Sequence, residues 1–446
     1  MEIYTIGGYN EVGKNMTVVD LGEDAVIFDA GLYLPPIVEL EEKDVKFNEK
    51  ELRAVGALPA DTILDKKGVR EKVRAILVGH AHLDHVGALP YLANRYKADV
   101  IGTPFTTEVL KTLLNDKNSD QVFRNQIVAI QPNSSYIIKG KTRQYKVDFI
   151  NITHSTIQTS LIALHTPEGV VLYANDFKLD NNPIVGKRPN YEKIKEIAKE
   201  GVKVLIVDSL YSSEESKTPS EKVARYLLED VMLTTDNSKS GMIITTFSSH
   251  IARLKSIVDF GKQLNRKIIF LGRSLNKYVT AAEKVKMCPF YHDVAIAGYK
   301  NQINSILNKV NKNKPDYLVV CTGHQGEPGS ILSRISNDEM PLSISNKDHV
   351  IFSSRVIPTP INIANREKME KRIKKKGARI FSQAHVSGHA CREDLRDFIG
   401  MVQPQHIIPA HGDVQKTSPM MELAEELGYK SGKTCHLMQD LQMLKI

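Results

Sequence analysis

His80, His82, Asp84 and His85 lie within six consecutive residues of the run VRAILVGHAHLDHVGALPYLANRY, and no other feature restricts the fold of the chain as strongly. VRAILV is a short apolar segment rich in β-branched residues that stops at Gly79, and GALPYLANRY has the spacing of an amphipathic helix. The four side chains therefore sit at a strand-to-helix turn. On an extended tail His80 and His82 point the same way, while Asp84 and His85 fall at the start of the helix and aim elsewhere. Two of them can serve one metal ion and two a second. Imidazole suits zinc, iron or manganese, and the carboxylate adds the hard oxygen that bridging sites use.

A chain of 446 residues is too long for one ordinary core, so two domains, or one domain carrying an insertion, are expected. With 41% hydrophobic and 25% charged residues it has the composition of a folded soluble protein. No apolar stretch approaches the roughly 18 residues that span a bilayer, and the N-terminus lacks the features of a signal peptide, so a cytoplasmic protein without membrane contact is expected. Cys288, Cys321, Cys391 and Cys435 are far apart and form no CxxC pair, which argues against a disulfide framework or a thiolate zinc site. The net charge of +8 tilts the partner toward a polyanion.

Short apolar segments separated by Gly, Asn and Asp turns fill the opening third, from MEIYTIGG to GVVLYANDF, and predict a largely antiparallel sheet face. Interspersed helical patterns such as TTEVLKTLLND favour an αββα sandwich over an all-β one. From about residue 205 strands and helices alternate, the rhythm of a parallel α/β sheet. The metal-type chemistry resumes near the C-terminus in AHVSGHA and HIIPAHGD, so the middle domain is inserted into the first. The expected division is 1–207 and 369–446 for the sandwich and 208–368 for the insertion. The charged stretch from Pro35 to about Lys67 is read as irregular, either shaping a substrate entrance or lying on the surface.

Three further residues sit at strand ends: His154, Asp176 and His411. A binuclear site needs about three protein ligands per ion plus a shared carboxylate. His80, His82 and His154 can hold one ion and Asp84, His85 and His411 the other, with Asp176 bridging. Asp29, ending the strand DAVIF, would orient a ligand histidine from outside. In AHVSGHA, Ser387 and Gly388 can offer a hydroxyl and an amide to a phosphate, and His389 is a candidate general acid. GGYNEVG lacks the spacing of a dinucleotide fingerprint and is read as a tight turn that brings Asn15 or the backbone toward the metal domain.

The set Asp29, HAHLDH, His154, Asp176 and His411 resembles the metallo-β-lactamase fold, and the inserted α/β domain resembles the β-CASP module associated with nucleic-acid hydrolysis. More narrowly, IGGYNEVGKNMTVVD, NDFKLD, TTFSSHIARL, LGRS, CTGHQGEPGSILSRI, VIFSSRVIP, HVSGHA and IPAHGD are similar to the ribonuclease J family from residue 1 to the end, and to its shorter archaeal members. The resemblance implies a 5′-to-3′ exoribonuclease that prefers a 5′-monophosphate end of single-stranded RNA and acts through two divalent ions, zinc first and manganese second. It places Asp84, Asp176 and His389 in the chemistry and Asp208, like Asp29, just outside the ligand set. A pocket for the terminal nucleotide would draw on Ser353, Ser354, His385, Ser387 and Gly388. By the same analogy a homodimer is expected, and association with other RNA-decay proteins is admitted. The chain departs from the family at Ser209-Leu210-Tyr211-Ser212-Ser213, usually a Ser-Thr-Asn run, after His154, and at His324, where Ser is common.

Phe247 and Ser248 in TTFSSH are RNA-contact candidates, Phe247 as a stacking face. Arg253, Lys255, Arg273 and Arg334 are candidate cations for the strand, and KMEKRIKKKGAR is the densest basic segment. An endonuclease is the alternative on the same fold, although its members carry SAHxD where this chain has HVSGH. A small-molecule hydrolase is disfavoured by the insertion and the basic balance, and a non-catalytic RNA binder by the complete ligand set.

Overall fold

The computed structural model describes residues 1–37, 48–115, 122–357 and 359–446. Strands β1 (Glu2–Gly7), β2 (Met16–Asp20), β3 (Ala25–Phe28), β4 (Val73–Val78), β5 (Asp99–Gly102) and β6 (Ile127–Ala129) build a first sheet. A second sheet takes β7 (Ser134–Lys139), β8 (Gln144–Asn151), β9 (Ser160–Thr166), β10 (Gly169–Ala174) and β11 (Val202–Asp208). The third is made of β12 (Met242–Thr245), β13 (Lys267–Leu271), β14 (Val294–Ala297), β15 (Tyr317–Cys321), β16 (His349–Phe352) and β17 (Arg379–Phe381). The chain then returns: β18 (His406–Ala410) pairs with β11, and β19 (Gln442–Lys445) pairs with β1. The order is β19-β1-β2-β3-β4-β5-β6 in the first sheet, β18-β11-β10-β9-β8-β7 in the second and β14-β13-β15-β12-β16-β17 in the third.

The architecture is the expected αββα sandwich with an inserted α/β unit. One detail differs. The antiparallel pairing expected of the opening third holds for β1 to β3 and for β7 to β10, whereas β3 to β6 run parallel, as do β10, β11 and β18. Helices such as Pro104–Leu114 fill the connections between these strands, and a crossover of that length returns the chain in its original direction. In the 35–67 stretch, residues 38–47 lie outside those described. Glu49–Ala54 and Ile63–Lys66 are helical, and buried Asp61 accepts from Arg53, Arg95 and Tyr96.

Alternation along the strands sorts side chains into layers. From β3, Val26 and Phe28 meet Phe149, Ile162, Val171 and Tyr173 of the second sheet, with Phe28 stacked on Tyr173 at 5.0 Å. The opposite face of the second sheet, Leu172 and Leu205 among others, packs on helices Tyr191–Glu200, Arg392–Val402 and Val414–Glu426. Strands buried on both faces explain why their sequences are nearly continuous apolar runs. All pairs in the third sheet are parallel. Its helix Arg273–Lys284 lies against Pro104–Leu114, where Phe105 faces Tyr278 and the Tyr278 hydroxyl donates to the carbonyl of Ala81. That bond joins the inserted unit to the loop carrying His80 and His82. No described helix is long and apolar enough to cross a membrane.

Candidate metal centre

Side chains from the ends of both sandwich sheets meet at one edge. β4 leads into His80 and His82; the short helix Leu83–Val86, with His82 at its N-cap, carries Asp84 and His85. His154 follows β8, Asp176 follows β10 and His411 follows β18. Asp29, Asp176 and His411, all just past strand ends, have φ of 59°, 57° and 63°. Non-glycine residues rarely adopt this left-handed conformation, and surrounding contacts must hold it in place. For His411 those contacts are visible: its amide, and that of Gly412, donate to the carbonyl of Gly8 in the GGYNEVG turn. Gly7 is needed there because a Cβ would meet the Lys14 carbonyl oxygen at 2.2 Å.

Two ligand groups share one carboxylate. His80 Nε2 and His154 Nε2 stand 3.1 and 3.2 Å from His82 Nδ1, and 3.4 and 3.6 Å from Asp176 Oδ2. In the second group His85 Nε2 is 3.3 Å from Asp176 Oδ2 and 3.6 Å from Asp84 Oδ2, while His411 Nε2 is 4.0 Å from Asp84 Oδ2. Within each group one ligand atom from every residue lies within 4.8 Å of all the others. A tetrahedral ion with bonds of about 2.0–2.1 Å separates its ligand atoms by about 3.3–3.4 Å, so the first group has the spacing of an ion's coordination shell.

Hydrogen bonds set the tautomers accordingly. His85 Nδ1 donates to Asp29 Oδ2 at 2.7 Å, which leaves Nε2, 3.0 Å from Asn15 Nδ2, to face the ligand group. His154 Nδ1 donates to the carbonyl of Gly388 at 2.8 Å and His411 Nδ1 to Asn15 Oδ1 at 3.0 Å. His82 Nε2 faces Ser249 Oγ at 3.0 Å, leaving Nδ1 toward the centre. Nitrogens 3.1–3.2 Å apart are held together either by a shared proton or by a cation among them, and His80 Nδ1 has no hydrogen-bond partner that would fix the tautomer of that ring. Asp176 is 1% exposed, and its Oδ1 accepts no hydrogen bond. A buried carboxylate oxygen without a donor is costly, and a divalent cation removes the cost. The residues fit a di-metal site.

Charge follows the same division. Burial, reinforced by neighbouring His85, holds His80 down at about 4, and burial holds His82 at about 3. Burial and the positive His389 push His154 well below its ordinary range. These imidazoles are therefore neutral and available as ligands. Burial opposes a charge on His85, but the carboxylates of Asp176, Asp84 and Asp29 outweigh it and raise the ring well above 6.5. His389 likewise rises to about 9 against burial, because Asp208 and Asp176 face it. Its Nδ1 donates to Asp208 Oδ2 at 2.7 Å, and its Nε2 points toward Asp176 Oδ2, 4.0 Å away.

The other candidates divide. Ser353 is fully buried: its Oγ donates to the carbonyl of Ala384 and accepts from Arg253 Nη1. Ser354 is also buried, and its Oγ has no partner. His385 is held near 2 by burial and by Arg253, whose Nη1 is 3.3 Å from its Nδ1. Ser387 Oγ accepts the amide of His389. Gly388 acts through its carbonyl on His154 rather than through its amide, and a Cβ there would meet the His154 ring at 3.1 Å and Ser155 Cβ at 3.0 Å. Phe247 is half-buried with its ring 4.2 Å from that of His324, and Ser248 lies beside it in the loop carrying Ser249. Arg273 is exposed at the first turn of helix Arg273–Lys284, outside the ligand constellation.

Arg253 is corrected. Expected as a cation for the strand, it is 0% exposed, donates bidentately to Glu221 at 2.6 and 2.8 Å, and spends Nη1 on Ser353, Ala384 and His385. Sequence reasoning also missed Ser249 and Tyr173, whose hydroxyl donates to Asp29 Oδ2, and gave Asn15 only a place in a turn. Asn15 in fact joins His85, His411, Asn175 and the carbonyl of Asp84.

Known proteins bear on this site. The family model described as Metallo-beta-lactamase superfamily matches residues 9–189, Ribonuclease J, beta-CASP domain matches 239–376, and Zn-dependent metallo-hydrolase RNA specificity domain matches 374–437. Ribonuclease J of Methanocaldococcus jannaschii is 43% identical over 447 residues, covering 100% of this chain and 98% of that one. The chain belongs to the ribonuclease J family. Ribonuclease J of Pyrococcus abyssi is 41% identical, with 100% and 97% covered, whereas that of Helicobacter pylori strain 26695 is 28% identical and only 61% of its length is covered. A crystal structure of a protein of unknown function from Enterococcus faecalis V583 superposes with TM-score 0.64 at 16% identity, over 99% of both chains, which speaks to the fold alone. Within the ribonuclease J fold, the sandwich contributes the candidate ligands, and Gly388 and His389 reach them through the His154 ring and Asp176.

Proposed function

We propose that this ribonuclease J family member is a 5′-to-3′ exoribonuclease that hydrolyses single-stranded RNA from a 5′-monophosphate end. The observation that carries the reading is the shared carboxylate: Asp176 belongs at once to the His80, His82, His154 group, to the Asp84, His85, His411 group, and to a third with Asp208 and His389. Metal ligation and a protonated histidine thus converge on one point, as phosphodiester hydrolysis requires. Divalent ions held there supply Lewis acidity toward a phosphate and toward water. Five of the seven ligands are imidazoles, which favours zinc over manganese.

His389 donates Nδ1–H to Asp208, and against burial the carboxylates of Asp208 and Asp176 hold the ring doubly protonated up to about 9, so that Nε2 carries a proton as well. That proton is available to the 3′ oxygen leaving the second nucleotide's phosphate. Upstream of His389, Arg253 Nη1 ties Ser353 and His385 together. The HVSGH sequence around His389, where the endonucleolytic members carry SAHxD, supports exonucleolytic over internal cleavage. The names of the relatives and the +8 charge support RNA as the substrate.

The test is a time course with metal-loaded protein on single-stranded RNA bearing a 5′-monophosphate and labelled separately at each end. Immediate release of mononucleotide from the 5′ label, with progressive shortening of the 3′-labelled chains, is expected. Discrete internal fragments from both labels would overturn the exonuclease reading. The same preparation, run in an ultracentrifuge, tests the proposed homodimer.

A further inference from the structure

Next to Ser353 and Ser354 lies an arginine that the metal chemistry does not use. Arg355 follows Ser353 and Ser354, and its backbone carbonyl accepts from the side chain of buried Gln325. Its side chain reaches across to the loop after β11, where Nη1 donates to Glu214 Oε1 at 3.0 Å. The guanidinium lies 5.6 Å from the centre of the Tyr211 ring, and Tyr211 stands edge-on to His389 at 5.9 Å. One aromatic ring therefore separates Arg355 from the proposed proton donor. The side chain remains 55% exposed, and the carboxylate that holds it 41%.

Glu214 is itself fixed: its amide donates to the carbonyl of Tyr211, and its own carbonyl accepts from the amide of Arg392. The loop that presents Tyr211 and Glu214 is the one where the sequence leaves the family pattern. A planar guanidinium matches a phosphate fork to fork, and a terminal monophosphate brings more charge than the single half-exposed carboxylate now paired with it. An exposed ion pair is weak, so a phosphate oxygen displaces Glu214 at little cost.

We propose that Arg355 is a phosphate-binding residue of the substrate path and that Glu214 competes with the RNA for it, setting how tightly substrate is held. Tyr211 positions the guanidinium by stacking and keeps it beside His389. The inference rests on the exoribonuclease reading above. It assigns opposite effects to the two members of one ion pair, which a purely structural bridge cannot produce.

Arg355→Gln and Glu214→Gln are compared with the unaltered, metal-loaded protein by kcat and KM on single-stranded RNA at several salt concentrations. Arg355→Gln is expected to raise KM by about tenfold, with kcat little changed, and to reduce the slope of log KM against log salt by about 0.7, the loss of one phosphate contact. Glu214→Gln is expected to lower KM. RNAs with a 5′-monophosphate and a 5′-hydroxyl identify the phosphate: a penalty confined to the former assigns Arg355 to the terminal group, and an equal penalty assigns it to an internal one. An unchanged KM and salt slope in Arg355→Gln would overturn the proposal, as would a KM raised equally by both substitutions. Failure of the unaltered protein to degrade RNA from its 5′ end would instead overturn the underlying reading.

Discussion

Replacing Asp29 by Asn tests whether the carboxylate behind His85 sustains one metal position and not the other. Asp29 is 0% exposed and accepts three hydrogen bonds: Oδ2 from His85 Nδ1 and from the Tyr173 hydroxyl, both at 2.7 Å, and Oδ1 from the amide of Gly79 at 2.9 Å. An asparagine has one acceptor oxygen. Placed at Oδ2 it retains His85 and Tyr173, but its NH2 then faces the Gly79 amide, donor against donor. An unsatisfied buried donor costs about 1–3 kcal/mol, which is the expected loss of stability without metal. Loss of the negative charge also makes His85 Nε2 a poorer ligand. Removing a partner of this kind lowers metal affinity by about 10–100-fold, or about 1.4–2.7 kcal/mol. His80, His82 and His154 make no contact with Asp29, so their ion should be held as before. Titration with a chromogenic zinc chelator should show one ion released early and one released as in the unaltered protein. Equal weakening of both ions, or no change in either, would refute the reasoning.

The pH profile is set by His389, whose ring holds its proton up to about 9 because the carboxylates of Asp208 and Asp176 outweigh burial. A general acid works only while protonated, so activity falls as pH rises through that value; Asp208→Asn should move the alkaline fall to lower pH, and an unmoved limb counts against the assignment. Arg253→Gln leaves Glu221 buried without its bidentate partner and should destabilise the protein by about 3–5 kcal/mol in denaturant unfolding, whereas a loss under 1 kcal/mol would mean the pair is not the clamp described. Gly388→Ala places a methyl group 3.0–3.1 Å from Ser155 and the His154 ring, so metal content by mass spectrometry and hydrolysis should fall together, and full retention of both would show that the segment can shift away. Chelation should lower the unfolding temperature, because an ion bound only by the folded state at a thousand times its Kd contributes about 4 kcal/mol; an identical transition with and without chelator would contradict a cation among the closely spaced nitrogens.

The ligands were legible because each follows an apolar run that can only be a strand, and a strand end is a fixed point. Asp29, Asp176 and His411 show the physical side of this: each needs a left-handed turn that a loop residue rarely adopts. What sequence could not reveal acts through backbone or across domains. Gly388 works by its carbonyl, a group every residue has, and Ser249 reaches His82 from 167 positions away. Arg253 looked like any basic residue near a phosphate motif until its burial was known. Strands β7 and β19 are hard to read from sequence because solvent faces both, and SSYIIK and QMLK lack the apolar continuity that betrays the inner strands.

Chemistry and substrate recognition occupy different parts of this chain, and the join between them is short. The sandwich supplies all seven candidate ligands, from segments that follow β4, β8, β10 and β18. The inserted unit supplies Ser249 against His82, the Tyr278 hydroxyl against the carbonyl of Ala81, and the Arg253 clamp on Ser353 and His385. The segment from Ala384 to Cys391 belongs to both. One end is tied to Arg253, its middle anchors His154 through Gly388, and His389 reaches the shared carboxylate. A displacement of the inserted unit therefore reaches His154 through the five residues from Ala384 to Gly388, whereas a change confined to side chains such as Arg355 and Glu214 leaves the candidate ligands in place. On this geometry, substitution at Arg355 or Glu214 can change how substrate is held while the groups around Asp176 keep their places.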